Sequence, residues 1–329
     1  MAQTTSEVWD SRWSSTRRTI DPKVIDNIFE PYNVINALRK RGMQMVDGGG
    51  KEIQVILESS AGSAEAFDKY DPLSKSPRDP FESAFYKRRY YAIPIVLSDT
   101  EDWENSGAEQ IFSLLSALGD NAMNSLLKTI NEDCVSAQSG KKMLGLQDLA
   151  TIDGTGTVGG INASTSTWWK NQFLSADVTF TAQSVTNIYD GITAWNKIMD
   201  KVRKQGGRTD AIFTTYSIAG AYRTALSSQG YAELSGTKVN GLNGQEFPGF
   251  MGAEVIADGD IPATEGWFVD KRSHQLRVMK NANFKKTPFV SLQSNGQLGQ
   301  LSYMVAGVQQ ITNNRRRLGR VDDIVGIDD

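Results

Sequence analysis

The sequence has 329 residues, 35 of them basic and 38 acidic for a formal net charge of -3, with 39% hydrophobic, 9% aromatic and 22% charged positions. Such a chain buries a sizeable core, and its composition excludes wholesale disorder. The near balance of charge excludes the basic excess of a dedicated sequence-specific nucleic-acid binder. The opening stretch MAQTTSEVWDSRWSS lacks a basic segment followed by an apolar one, and nowhere do apolar residues run long enough to span a bilayer, so neither secretion nor membrane insertion is expected. Cys134 is the only cysteine and His274 the only histidine, which rules out an internal disulfide framework and His-rich metal sites. Cytoplasmic synthesis is the expectation.

Residues 1 to about 50 read as a polar arm, broken at Pro31 and ending in Asp47-Gly48-Gly49-Gly50. In KEIQVILES, residues 51 to 59, Ile53, Val55 and Leu57 alternate as one face of a strand. Its expected partner is RRYYAIPIVLSD, residues 88 to 99, where Tyr91, Ile93, Ile95 and Leu97 share a face and Pro94 marks an edge or a bulge. About thirty polar residues would form the tip. A two-stranded hairpin of this kind is barely stable alone and is expected to lie on another surface, in an oligomer a neighbouring subunit.

The spacing of Ile111, Leu114, Leu115, Leu118, Ala122, Leu126, Ile130 and Cys134 predicts a long helix from Gly107 to about Ala137, capped by Ser106 with Glu109. At about 1.5 Å per residue it would be a rod of about 45 Å. Loops and short strands should follow from 140 to 183, and then a helix from Val185 to Val202 stopped at Gly206-Gly207. A strand at Ala211 to Thr214, a helix at about Ser217 to Ser227 and strands at Ala253 to Ala257, Gly266 to Asp270 and Gln275 to Met279 complete a mixed α+β unit. The last expected strand, Gln300 to Ile311, carries Leu301, Tyr303 and Val305 in alternation before Arg315-Arg316-Arg317.

Few residues point to chemistry. Gly154, Gly156 and Gly159 match G-x-G-x-x-G, but INASTSTWW follows in place of a helix, so a flexible loop is the reading. Gly48-Gly49-Gly50-Lys51 and Gly140-Lys141 lack phosphate-loop spacing. His274 is expected in an exposed turn and Cys134 on the apolar stripe of the long helix. Asp99, Glu101, Asp102 and Glu104 include a possible acid and base pair, but their place before a helix suits the helix dipole. Asp258 and Asp260 supply too few ligands for a cation. Arg315, Arg316, Arg317 and Arg320 form a basic run open to three readings: a solvated face, a subunit contact or DNA phosphates. Arg88 and Arg89, set opposite acids such as Glu58, suggest an inter-subunit contact, and Trp168 and Trp169 are large anchors for either a core or an interface.

The order of arm, long hairpin, very long helix, inserted α+β unit and returning strand resembles that of the HK-ninety-seven-type major capsid (coat) proteins of tailed bacteriophages. Two segments resemble the phage-coat branch in wording: GLQDLATIDGTGTVGGINASTSTWWKNQ, from Gly145, and FPGFMGAEVIADGDIPATEGWFVDKRSHQLRV, from Phe247. The resemblance implies an α+β fold with an N-terminal arm at 1–50 and an extended hairpin loop at 51–99. A peripheral domain with its spine helix would take 100–145 and 299–329, and an axial domain 146–298. It implies a structural subunit, not an enzyme, that self-assembles into pentamers and hexamers of an icosahedral shell around double-stranded DNA. No catalytic, cofactor or metal residues are implied. The expected partners are copies of the chain, a separate scaffolding protein, a portal, a decoration protein and non-specifically held DNA, without a membrane. The expected place is the virion capsid, assembled in the bacterial host cytoplasm. Interface candidates are Glu58, Arg88, Arg89, Trp168, Trp169, Arg315, Arg316 and Arg317. The rivals are an encapsulin-type compartment shell, a carboxylate-based hydrolase and a carbohydrate-binding decoration protein.

Overall fold

A computed structural model describes residues 31–71, 79–104, 114–179, 185–228, 238–240, 246–293 and 296–325. The expected Ser106 and Glu109 cap, and the arm up to residue 30, lie outside the described residues. Within them the chain forms helices α1 (Asn33–Lys40), α2 (Leu114–Val135), α3 (Val185–Lys204) and α4 (Tyr216–Ser228). The strands β1 (Gln44–Asp47), β2 (Glu52–Glu58), β3 (Phe81–Lys87), β4 (Arg89–Ser98), β5 (Gln172–Thr179) and β6 (Ala211–Thr214) are followed by β7 (Glu254–Ala257), β8 (Gly266–Val269), β9 (His274–Met279), β10 (Gly299–Thr312) and β11 (Gly319–Val325). The remaining short elements are left unlabelled. None of the helices among the described residues is long and apolar enough to cross a membrane.

The first sheet is built on β10. Along one edge it pairs with β9 and two short strands, and along the other it pairs antiparallel with β4 from Gly299 opposite Ser98 to Val308 opposite Arg89. This ladder revises the expected hairpin. β2 finds its partner in β3, with Ile53 opposite Tyr86 and Leu57 opposite Glu82, inside the stretch taken from sequence as a polar tip. The reason is visible in FESAFYK, where Ala84 and Tyr86 supply an inward face while charges obscure the apolar pattern. Among the described residues β4 is bonded on one side only, an edge position of the kind in which Pro94 is tolerated.

A second expectation is reversed. On β10 the buried set is Ser302, Met304 and Ala306, while Tyr303 is exposed, because both alternating sets contain apolar residues and the spine helix covers only one. That helix, α2, buries Ala122, Leu126, Ile130 and Cys134 as its periodicity requires, among Ile95, Met304 and Val308. Nor is the arm free throughout. Val34, Ile35, Leu38 and Met43 enter the same core, and β1 lies parallel to β9. The N-terminus of α1 is held by Asp258, whose carboxylate accepts from the backbone N–H of Asn33 at 2.8 Å and of Val34 at 3.0 Å, and from Asn131 on α2 at 3.0 Å.

The second sheet runs β7-β6-β8-β11-β5. Its last-but-one strand, β11, has no counterpart in the sequence reading, which took the chain after β10 as a tail of the first unit. GRVDDIV carries charges at alternate positions, and its apolar residues were too few to signal a strand, but it pairs antiparallel with β8 and parallel with β5. α3 and α4 flank a second core in which Trp195 meets Tyr222, Phe250 and Phe268 at ring distances of 5.1, 5.3 and 5.9 Å.

Candidate assembly surface

The β2–β3 hairpin has two unlike faces because its strand period is two. Inward, Ile53, Leu57, Ala84 and Tyr86 are buried on the body of the subunit. The Tyr86 hydroxyl donates to the Thr312 carbonyl at 2.7 Å, and burial raises its pKa above the ordinary phenol range. Gly159 permits this docking: it adopts φ +63°, and a Cβ there would stand 2.7 Å from that of Ala84. Outward, the same strands show Ile56 at 71% exposure, Phe81 at 64% and Phe85 at 49%. Exposed apolar residues grouped on one face mark a surface that meets another molecule. The reading by periodicity missed this face, and the signal for it was Ile56, an apolar residue at a polar position of the alternation.

The sequence candidates fall into three groups. Arg88 is drawn inside the subunit, where it ties the glycine turn between β1 and β2. Its guanidinium donates to the carbonyls of Gly50 at 2.9 Å and Gly49 at 3.0 Å and pairs with Asp47 at 3.2 Å. Neither Arg88 nor Arg89 faces Glu58, which sits opposite Phe81. Arg89 lies half-buried opposite Val308, with its Nε buried and unpartnered.

The second group is structural. Arg315, Arg316 and Arg317 form a 3₁₀ turn, which sends successive side chains in different directions. Arg315 points inward and is fully buried, donating to the carbonyls of Leu149 at 2.8 Å and Thr155 at 2.7 Å and to the Thr151 hydroxyl at 3.0 Å. Burial pulls its pKa down to about 10. It clamps the loop that carries the G-x-G-x-x-G pattern, so that loop is packed structure. Trp169 is also core, its Nε1 donating to the Val158 carbonyl at 3.1 Å. Arg320 pairs with Glu265 at 2.6 Å, both largely buried. Burial raises the pKa of Glu265, and the charge of Arg320 opposes that rise. His274 corrects another expectation: the turn ends at Ser273, and His274 begins β9 fully buried opposite Thr312. Among the described residues its ring nitrogens have no hydrogen-bond partner, and desolvation lowers its pKa to about 4.

The third group meets in a cleft of about 630 Å³ at the turn-side end of the paired β2 and β3 strands, lined by Glu58, Ser60, Trp168, Arg272, Arg316 and Arg317 among others. Trp168 is half-buried there, and Arg272 and Arg316 are exposed. Among the described residues no group of His, Cys, Asp or Glu is placed to hold a metal ion. Glu101, from the sequence cluster of carboxylates, lies exposed on the short helix Asp99–Glu104. What the arrangement offers is contact surface: an apolar hairpin face and a cationic cleft.

Neither a protein-family model nor a curated protein matches the sequence. Solved structures do. The subunit matches the capsid of cyanophage A-1(L) at a TM-score of 0.64 and 16% identity, over 93% of this chain and 96% of that one. It matches the capsid of a native GTA particle at a TM-score of 0.66 and 13% identity, over 98% and 100%. This chain has the α+β, HK-ninety-seven-type capsid fold. An encapsulin complex, SrpI of Synechococcus elongatus, also matches, at a TM-score of 0.63 and 10% identity, over 99% and 97%. α2 stands where the spine helix was expected and the β2–β3 hairpin where the extended loop was, and those names are used for them below.

Proposed function

We propose that the chain is the major capsid subunit of a tailed bacteriophage, self-assembling into pentamers and hexamers of an icosahedral shell around double-stranded DNA. The observation that carries this reading is the capsid fold over nearly the whole chain, with no large segment left over for another activity. The exposed outer face of the extended loop supports it, since a lone subunit gains nothing from Ile56, Phe81 and Phe85 in water. Its role is structural, not enzymatic.

The proposed division is an arm to about residue 50, an extended loop from 51, a peripheral domain around the spine helix and β10, and an axial domain from 146 to 298. To the axial domain we add β11, which shares its sheet. The proposed partners are copies of itself, a separate scaffolding protein, a portal and a decoration protein, with packaged DNA held by non-specific contact. The proposed setting is the virion capsid, assembled in the bacterial host cytoplasm. Negative-stain electron microscopy with light scattering on the expressed chain, with and without a co-expressed scaffolding protein, tests this. Closed shells or five- and six-membered rings are expected, and a monomer under every condition overturns the reading.

The match to an encapsulin favours one second reading, a compartment shell around protein cargo. Shell contents separate the two: DNA for the first, cargo protein for the second.

A further inference from the structure

We propose that the arginine-lined cleft at the turn-side end of the β2–β3 strands seats the acidic segment Asp99–Glu104 of a second copy of this chain. The contact rests on the shell reading and specifies one of its joints. Arg272, Arg316 and Arg317 converge on the cleft, and none of them has a carboxylate within ion-pair distance among the described residues. Arg316 donates only to the neutral Gln205, and the Nε of Arg317 is buried without a partner. Three guanidinium groups gathered beside the single carboxylate of Glu58 leave the cleft net positive, and an incoming anion relieves their mutual repulsion.

The occupant follows from shape and charge. The cleft's volume admits a short peptide segment, whereas a nucleic-acid duplex rests on a broad surface. The sequence DTEDWE places four carboxylates within six residues, and its Trp103 is 65% exposed, the kind of aromatic anchor that interfaces favour beside Arg. The tip of the extended loop is a poorer match. It offers two carboxylates, Asp68 and Asp71, with Lys69 standing between them.

The segment cannot reach the cleft of its own subunit. Ser98 pairs with Gly299 at one end of β10, while Asn313 on the cleft wall follows Thr312 at the other. At about 3.3 Å per residue the two ends stand roughly 43 Å apart. An acidic pole and a basic pole at opposite ends of one strand make a head-to-tail contact, the kind that closes into rings.

Charge reversal tests the joint in the full chain, read by sedimentation and electron microscopy. The pair Arg272→Glu with Arg316→Glu, and separately Asp99→Lys with Glu101→Lys, should each lower the assembled fraction about tenfold or more. Combining all four should restore it. Arg272, Arg316 and Glu101 are exposed and Asp99 is half-buried, so melting temperatures should stay within a few degrees of the wild-type value. Shells from the wild type together with equal assembly by either reversed pair overturn this contact alone, as does failure of the fourfold variant to recover. Binding of a short DNA duplex that the Arg272→Glu, Arg316→Glu change abolishes while shell yield is unchanged assigns the cleft to nucleic acid and also overturns it. A wild type that forms no ring or shell overturns the parent reading.

Discussion

The extended loop and the five-stranded sheet are built from similar residues and end up in opposite surroundings. In β6, β7 and β8 every residue is buried, and both faces are covered by helices or by the first core. In β2 and β3 only the inward set is buried, and the outward set carries Ile56, Phe81 and Phe85 into solvent. Apolar residues on two faces thus mean interior where a second layer exists within the chain. Where none exists, they mean a surface that another molecule must complete. Substitutions in the sheet should therefore cost the subunit its stability, and substitutions on the loop's outer face should cost the assembly.

The largest effect is expected at Trp195, where three aromatic rings close on one side chain. Trp195→Ala should lower subunit stability by about 3–5 kcal/mol, measured by urea unfolding. Next comes Arg315→Ala. It leaves the carbonyls of Leu149 and Thr155 without their donor in a buried site, and about 2–4 kcal/mol should be lost. Arg315→Lys should recover little, because a single ammonium cannot reach the acceptors that the planar fork serves together.

His274 gives a pH-dependent version of the same contrast. Its folded pKa, about 4, lies below the ordinary 6.5, so the native state binds fewer protons than the unfolded chain between those values. The group's contribution is complete above pH 6.5 and declines as the pH falls towards 4, by at most about 3 kcal/mol. Glu265 and Asp260 have raised pKa values and act with the opposite sign in the carboxylate range, so the measurement is a difference. Wild type should lose more stability than His274→Phe between pH 7 and 4.5. Parallel curves for the two would remove His274 from the account.

Much of this architecture was legible in the sequence, and the failures share a cause. The spine helix, α3, β6 and the three strands β7, β8 and β9 were readable because their apolar spacing repeats over enough residues to fix a period. β3 and β11 were not, since charges alternate with short apolar side chains and the partner strands are distant in the chain. His274 and Arg315 were placed outside because residue type stood in for environment, whereas a turn that ends one residue earlier and a 3₁₀ twist carried both inward. The cleft joins positions 58, 168, 272 and 316, which no local pattern connects.

The smallest effect on the subunit is expected where the effect on assembly is greatest. Ile56→Lys with Phe85→Lys changes two outward side chains of the extended loop that touch little within the chain. Unfolding should therefore shift by no more than about 0.5 kcal/mol. Two charges placed on an apolar face that a neighbour is to cover would be buried unpaired, at a cost of several kcal/mol per contact. Repeated at every subunit, that cost should abolish shells while leaving the circular dichroism spectrum and melting temperature unchanged. If instead the variant unfolds with the wild-type shells intact in parallel samples, the outer face belongs to the subunit's own core. If the variant stays folded and assembles normally, the loop's exposed side chains meet no neighbour, and the arginine cleft becomes the first contact to test in its place.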